Sequence, residues 1–207
     1  INVTSKDPNI VGRMFTAKYI ELALANYPGF FGKSPPGSGA PFIRYWPALI
    51  DSKHIKESVH IGEQTVKITP TNQLGLDEHT YQKEKPKIPQ LVSKNHQQIH
   101  FGRIYGTRSG DKGGCANLGV WAKTDRAFEF LYHFLTVDRL KQLLPDIANF
   151  PIDRYELTNI KSLNFYIHEI LQDGVSSSTR IDAQAKSLGE YLRAKLIDVP
   201  VEIIEEL

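Results

Sequence analysis

The stretch Arg108-Ser109-Gly110-Asp111-Lys112-Gly113-Gly114-Cys115-Ala116-Asn117-Leu118-Gly119 constrains this chain more than any other. It joins two runs that alternate between apolar and polar residues. Ile99 to Tyr105 puts Ile99, Phe101 and Tyr105 on one face, and Ala116 to Ala122 puts Leu118, Val120 and Ala122 on one side. A period of two predicts strands, so the glycine-rich part between them is expected to turn. Glycine there permits positive φ and close approach of another backbone. Successive N–H groups in such a turn can form an anion-binding concavity. Arg108 offers a planar fork for phosphate or carboxylate, Lys112 adds a mobile point charge, and Asp111 can order either cation. On this reading Arg108, Ser109, Asp111, Lys112, Gly113 and Asn117 belong to a ligand site. The plainer reading is a hairpin whose charges pair locally, and residue types leave the two equal. The spacing matches neither a Walker A loop nor the dinucleotide GxGxxG.

After this motif, Asp125 to Leu135 carries Phe128, Leu131 and Leu135 at helical spacing. Thr136 can cap a second helix with Val137, Leu140, Leu143 and Leu144, which Pro145 ends. Ile152 to Leu157 reads as a strand. Ser162 to Leu171 fits either period; Gly174, at a helix C-cap position, tips the expectation to helix. Asp182 is expected to cap a last helix with Ala185, Leu188, Leu192 and Leu196 inward, and Val201 to Ile204 to add an edge strand. Strands and helices mix without regular alternation, so the fold class is α+β. The architecture expected is a C-terminal ferredoxin-like α/β sandwich preceded by a smaller mixed α/β segment.

That smaller segment spans residues 1–74. Ile10 to Asn26 is helical in its latter half, Ser34 to Gly39 is a loop, and Ser58–Ile61 with Thr65–Thr69 makes a hairpin around Gly62-Glu63. Residues 75–98 are polar and aperiodic and read as a linker, since a structureless loop of that length is unusual inside one domain. The third unit is 99–207. With 41% hydrophobic and 23% charged residues, the chain can bury a real core. A net charge of +2 with no basic run argues against nucleic acid. The single cysteine forbids an intramolecular disulfide and suggests a reducing, cytoplasmic setting. No apolar run approaches the ~20 residues of a membrane helix. The opening Ile-Asn-Val suggests a piece of a longer protein.

Other candidates are weaker. Ser176 to Lys186 precedes a helix start, where free N–H groups and the dipole favour anions; Arg180, Asp182 and Lys186 join the ligand-site candidates, against an ordinary N-cap. Cys115 is a potential nucleophile with His133 or His168 as base, but a buried or incidental thiol is the better expectation. His96 and His100 lack an obvious third ligand, so no metal is expected. Tyr45-Trp46-Pro47 and Tyr27 to Phe31 can wall an apolar pocket or simply pack.

These motifs resemble the C-terminal region of the acyclic terpene utilisation (AtuA) family. The resemblance rests on RSGDKGGCANLG (Arg108 to Gly119), Asn164-Phe165 and GVSSSTRIDAQAKSLGEY (Gly174 to Tyr191). Upstream it includes Gly12 to Tyr19, Tyr27-Pro28-Gly29-Phe30 and Tyr45-Trp46-Pro47-Ala48. It implies a ferredoxin-fold C-terminal domain, a name for a topology; one cysteine cannot hold an iron–sulfur cluster, and no cofactor is implied. It implies a part in bacterial breakdown of acyclic terpenoids, with an acyl-CoA or other carboxylated ligand, an upstream AtuA-type domain as partner, and a homo-oligomer. Similar proteins often carry Asn at the place of Cys115, which argues against thiol catalysis. The alternative is a non-catalytic assembly or dimerisation domain. No reaction is assigned.

Overall fold

The structure, a computed structural model, describes residues 2–23, 25, 28–32, 37–68 and 87–206. We number the strands β1 (Glu57–Ile61), β2 (Gln64–Ile68), β3 (His96–His100), β4 (Gly106–Lys112), β5 (Cys115–Trp121), β6 (Ile152–Leu157), β7 (Ser162–Ile167) and β8 (Leu196–Pro200). The helices are α1 (Phe15–Ala23), α2 (Asp125–Phe134), α3 (Val137–Leu143), α4 (Leu188–Arg193) and α5 (Val201–Ile204).

The glycine-rich motif is mostly strand. Lys112 pairs with Cys115, leaving Gly113-Gly114 as the whole turn, and Arg108, Gly110 and Asp111 face Gly119, Asn117 and Ala116 in the ladder. Gly113 has φ +64, as the first central residue of a type II′ hairpin turn requires. With most of the motif in ladder geometry, an amide concavity spanning it does not form. The strand expected before it is also displaced. β3 ends at His100, and Phe101–Arg103 form a 3₁₀ turn. Phe101 and Tyr105 are nevertheless both buried, with ring centroids 4.7 Å apart. The turn keeps these residues, four apart, on one side, as the expected alternation also would.

Four strands form the main sheet in the order β4-β5-β7-β6, each antiparallel to its neighbour. β5 and β6 therefore run parallel, and α2 and α3 make the crossover between them. Thr124 caps α2 by accepting from the Ala127 amide at 3.2 Å. Thr136 caps α3 by accepting from Arg139 at 3.1 Å, as expected. The helix expected over Ser162–Leu171 is a correction: 162–167 is the strand β7, paired on both sides. Leu163, Phe165 and Ile167 are fully buried while Asn164 and Tyr166 face the other way. A period of two with pairing on both edges overrides the helical reading of so short a run.

The C-terminus differs in two places. Residues 175–187 are turns rather than a helix, and α4 starts only at Leu188. Asp182 caps no helix; its carboxylate accepts from the Lys186 amide (2.9 Å) and from the Ser187 amide (2.8 Å) and hydroxyl (2.7 Å). Ala185, Leu188 and Leu192 are buried as expected, but Leu196 is exposed on β8. Val201–Ile204 is a short helix after Pro200, not an edge strand. β8 pairs with β3, so β4 holds the edge of the main sheet beside β5.

Among the described residues, every apolar side chain of the buried core lies from Phe101 to Ile203. Leu118, Leu131, Leu140, Leu163, Phe165 and Leu192 are fully buried, each stabilising by about 1.5–3 kcal/mol. The result is the expected α+β sandwich. Upstream, Ile10–Met14 is a kinked turn leading into α1, and β1–β2 is the expected hairpin. Its Val59, Ile61, Val66 and Ile68 are all exposed.

Candidate functional site

The edge position of β4 makes the site. An edge strand offers unpaired backbone groups and must be covered; residues 186–190 cover it. The Ser109 hydroxyl donates to the Lys186 carbonyl at 3.1 Å and accepts from the Gly189 amide at 3.0 Å. Gly189 has to be glycine: a Cβ there would sit 2.8 Å from Thr107 Oγ1. Asp182 organises this segment from behind through the Lys186 and Ser187 amides. Burial alone would raise its carboxyl, but the bonds from Ser187 and Lys186 and the charge of Arg180 hold it below the usual carboxylate value.

Between β4 and this segment lies a cleft of about 240 Å³, lined by Thr107, Arg108, Ser109, Lys186, Gly189 and Glu190. Three properties suit it to an anionic ligand. The Arg108 guanidinium has no hydrogen bond or ion pair among the described residues. Lys186 leans over Gly110 and its ammonium pairs, among the described residues, with Asp111 alone, at 3.6 Å with both groups solvated, a contact worth about 0–1 kcal/mol. Thr107 is 8% exposed, yet its hydroxyl has no partner; an orphaned buried hydroxyl costs about 1–3 kcal/mol. Glu190 brings a negative charge to the rim.

The fold thus brings Arg108 and Ser109 of the first motif together with Lys186 of the second, and Asp111 touches the group through Lys186. The other candidates go elsewhere. Lys112 donates to its neighbour's carbonyl, Asp111 O, at 2.9 Å. Arg180 pairs with Asp146 at 3.0 Å. Asn117 donates to Asn164 Oδ1 at 3.2 Å on the sheet's outer face. Gly113 seats an aromatic ring from upstream: Cβ atoms at Gly113 and Gly174 would lie 2.7 and 2.8 Å from Tyr45. The Tyr45 amide donates to the Asp173 carbonyl at 2.6 Å, and Arg44 pairs with the Asp173 carboxylate. Thr107, Gly189 and Glu190 carry no motif signal of their own. Only the quoted stretch through Tyr191 hints at the last two.

Cys115 is half-buried and reduced. The Cys115 thiol beside it, burial and the nearby Tyr155 and Tyr45 push the Tyr166 phenol up to about 12. His168 pairs with Asp153 at 2.8 Å and His133 faces the Ile88 and Pro89 carbonyls, so neither is bonded to the thiol. Among the described residues, no three His, Cys, Asp or Glu side chains converge as a metal site would need, and no helix is long and apolar enough to cross a membrane.

An open-faced α+β sandwich with a polar cleft at its β4 edge defines the class of this domain. The family model described as the AtuA ferredoxin-like domain matches residues 99–198, a little under half of the chain. Residues 99–198 are an AtuA ferredoxin-like domain, the region that the motifs indicate. Searches of curated proteins and of solved structures each returned no match.

Proposed function

We propose that this domain binds the anionic end of a carboxylated or CoA-linked branched acyl compound in the β4 edge cleft, within a cytoplasmic protein of acyclic terpenoid breakdown. The observation that carries the reading is the convergence of an unpaired Arg108, a weakly held Lys186 and an orphaned Thr107 hydroxyl on one cleft. Arg108 would take the anion bidentately and Lys186 would add charge. Thr107 would donate its hydroxyl, ending its isolation. Asp182 and Ser109 act as positioning residues, holding the 186–189 backbone. The domain division that fits this reading is 1–74 as part of an upstream AtuA-type unit, 75–98 as linker and 99–207 as the ligand-binding unit. The upstream unit would cover the isoprenoid tail.

The test is thermal melting of the chain with citrate, inorganic phosphate and free CoA. A ligand at a hundredfold excess over its dissociation constant stabilises by ~2.7 kcal/mol. We expect a rise in Tm in the wild type that is lost in Arg108→Ala and reduced in Lys186→Ala. An equal rise in both variants contradicts the site.

A second reading, an assembly module that pairs subunits or docks the upstream unit, is favoured by one observation. Phe42, Ile43, Trp46, Leu49 and Ile50 form an exposed apolar arm, larger than a solvated loop needs. If the arm pairs subunits, the chain should be a dimer in sedimentation velocity that Trp46→Ser with Leu49→Ser dissociates; a monomer in the unsubstituted chain contradicts that pairing.

A further inference from the structure

Among the described residues, the outer face of the four-stranded sheet carries no helix, and its register gathers a set of unused groups around one bare position. Gly119 lies opposite Arg108 on β4 and opposite Asn164 on β7. Along β5, Asn117 and Trp121 flank it two residues away on the same face. Beyond Asn164, the row ends in the exposed Tyr155 of β6. A Cβ built on Gly119 would meet nothing closer than 3.6 Å, so the glycine floors an open recess.

Each wall of this recess has binding capacity that the fold leaves unused. The Trp121 indole lies over Gly106, where any Cβ would collide with it, and the side chain remains 41% exposed. Arg108 has no ion pair or hydrogen bond from its guanidinium among the described residues. Asn117 and Asn164 satisfy each other once. Whichever way the two amides are turned, one carbonyl oxygen and one amide nitrogen remain for a ligand.

We propose that this recess binds the phosphorylated adenine end of a small nucleotide-bearing ligand. Trp121 offers a stacking surface for the purine, worth about tenfold or more in affinity. The spare acceptor and donor of the Asn117–Asn164 pair match the adjacent N–H₂ donor and ring-nitrogen acceptor on an adenine edge. Arg108 takes a phosphate. Arg108 also lines the edge cleft, so one ligand can run from the recess over the rim into the cleft. The inference rests on the anion reading of Arg108 and narrows it to an adenine nucleotide. A nucleic-acid strand is disfavoured because Arg108 and Lys112 are the cations on this face of β4 and the chain's net charge is +2, too little for phosphate tracking.

The two tryptophans are Trp46 and Trp121, so Trp46→Phe isolates the recess as a fluorescence reporter in the full chain. Adenosine 3′,5′-bisphosphate is titrated into that variant, with pyrophosphate and oligoadenylate in parallel arms. We expect saturable quenching by the nucleotide and binding at least about tenfold tighter than pyrophosphate. That preference should vanish in calorimetry of Trp121→Ala and of Gly106→Ala, which displaces the indole without removing it; melting curves confirm that each is folded. Pyrophosphate binding as tightly as the nucleotide, with Arg108→Ala still abolishing it, overturns the adenine site and leaves the anion reading intact. Binding of neither overturns both. Oligoadenylate binding far more tightly than the mononucleotide overturns the small-ligand proposal in favour of a nucleic-acid surface.

Discussion

Thr107 and Ser109 are two hydroxyls on one face of β4 with opposite situations. Ser109 is bonded twice across to the 186–189 segment, whereas Thr107 Oγ1 is buried and unpartnered. Ser109→Ala should therefore destabilise by about 1–3 kcal/mol, since it strands the Gly189 amide. Thr107→Val should be neutral or stabilise by up to about 2 kcal/mol without ligand, because it removes an orphan of similar shape. Urea denaturation measures both; a loss above about 1 kcal/mol in Thr107→Val would mean that its hydroxyl is satisfied after all. Residue types alone pick out Arg108, Ser109 and Lys186, because cations and hydroxyls near glycine carry a chemical signature. They miss Thr107 and Gly189, whose part comes from which edge β4 occupies, and that is a property of the whole sheet. They also include Lys112 and Arg180, whose charges are used locally.

At the scale of elements, the 182–187 turn depends on one carboxylate. A depressed carboxyl stabilises the folded form above its unfolded value, about 4, and loses that contribution as pH falls through its lower folded value. Asp182 is such a group, so the protection of the Lys186 and Ser187 amides against deuterium exchange, relative to the intrinsic rate at each pH, should fall as pH is lowered below about 4. Asp182→Asn should show fast exchange at neutral pH and little further acid dependence. Exchange that is insensitive to both contradicts the role. The turn after β7 makes a parallel case. Gly174 has φ +107 and a Cβ there would meet Tyr45; Gly174→Ala should cost about 1–3 kcal/mol, and the part due to contact should be relieved by adding Tyr45→Ala. The capped helices α2 and α3 and both hairpins are legible in sequence, because caps and turn glycines act over a few residues. β7 and α4 are not: a six-residue apolar run fits two periods, and the sheet decides between them.

Among the described residues, the buried apolar core is confined to 101–203, while the upstream residues expose Ile43, Trp46, Leu49, Val59 and Ile61. A chain shortened to 87–207 keeps that core, with the flanking Ile88 and Leu91 packed against it. It should melt cooperatively with a Tm within a few degrees of the full chain. Loss of its transition would mean that the upstream residues contribute to the core. Within the AtuA ferredoxin-like domain at 99–198, two motifs far apart in sequence meet in one cleft, which we propose binds an anion. The most direct test is an amide proton–nitrogen correlation spectrum of the chain titrated with inorganic phosphate. Anion binding in that cleft should give saturable shifts grouped at residues 107–110 and 186–190 and absent in Arg108→Ala. Shifts confined to the hairpin tip at Gly113-Gly114 or to Arg180, or none at all, would contradict it.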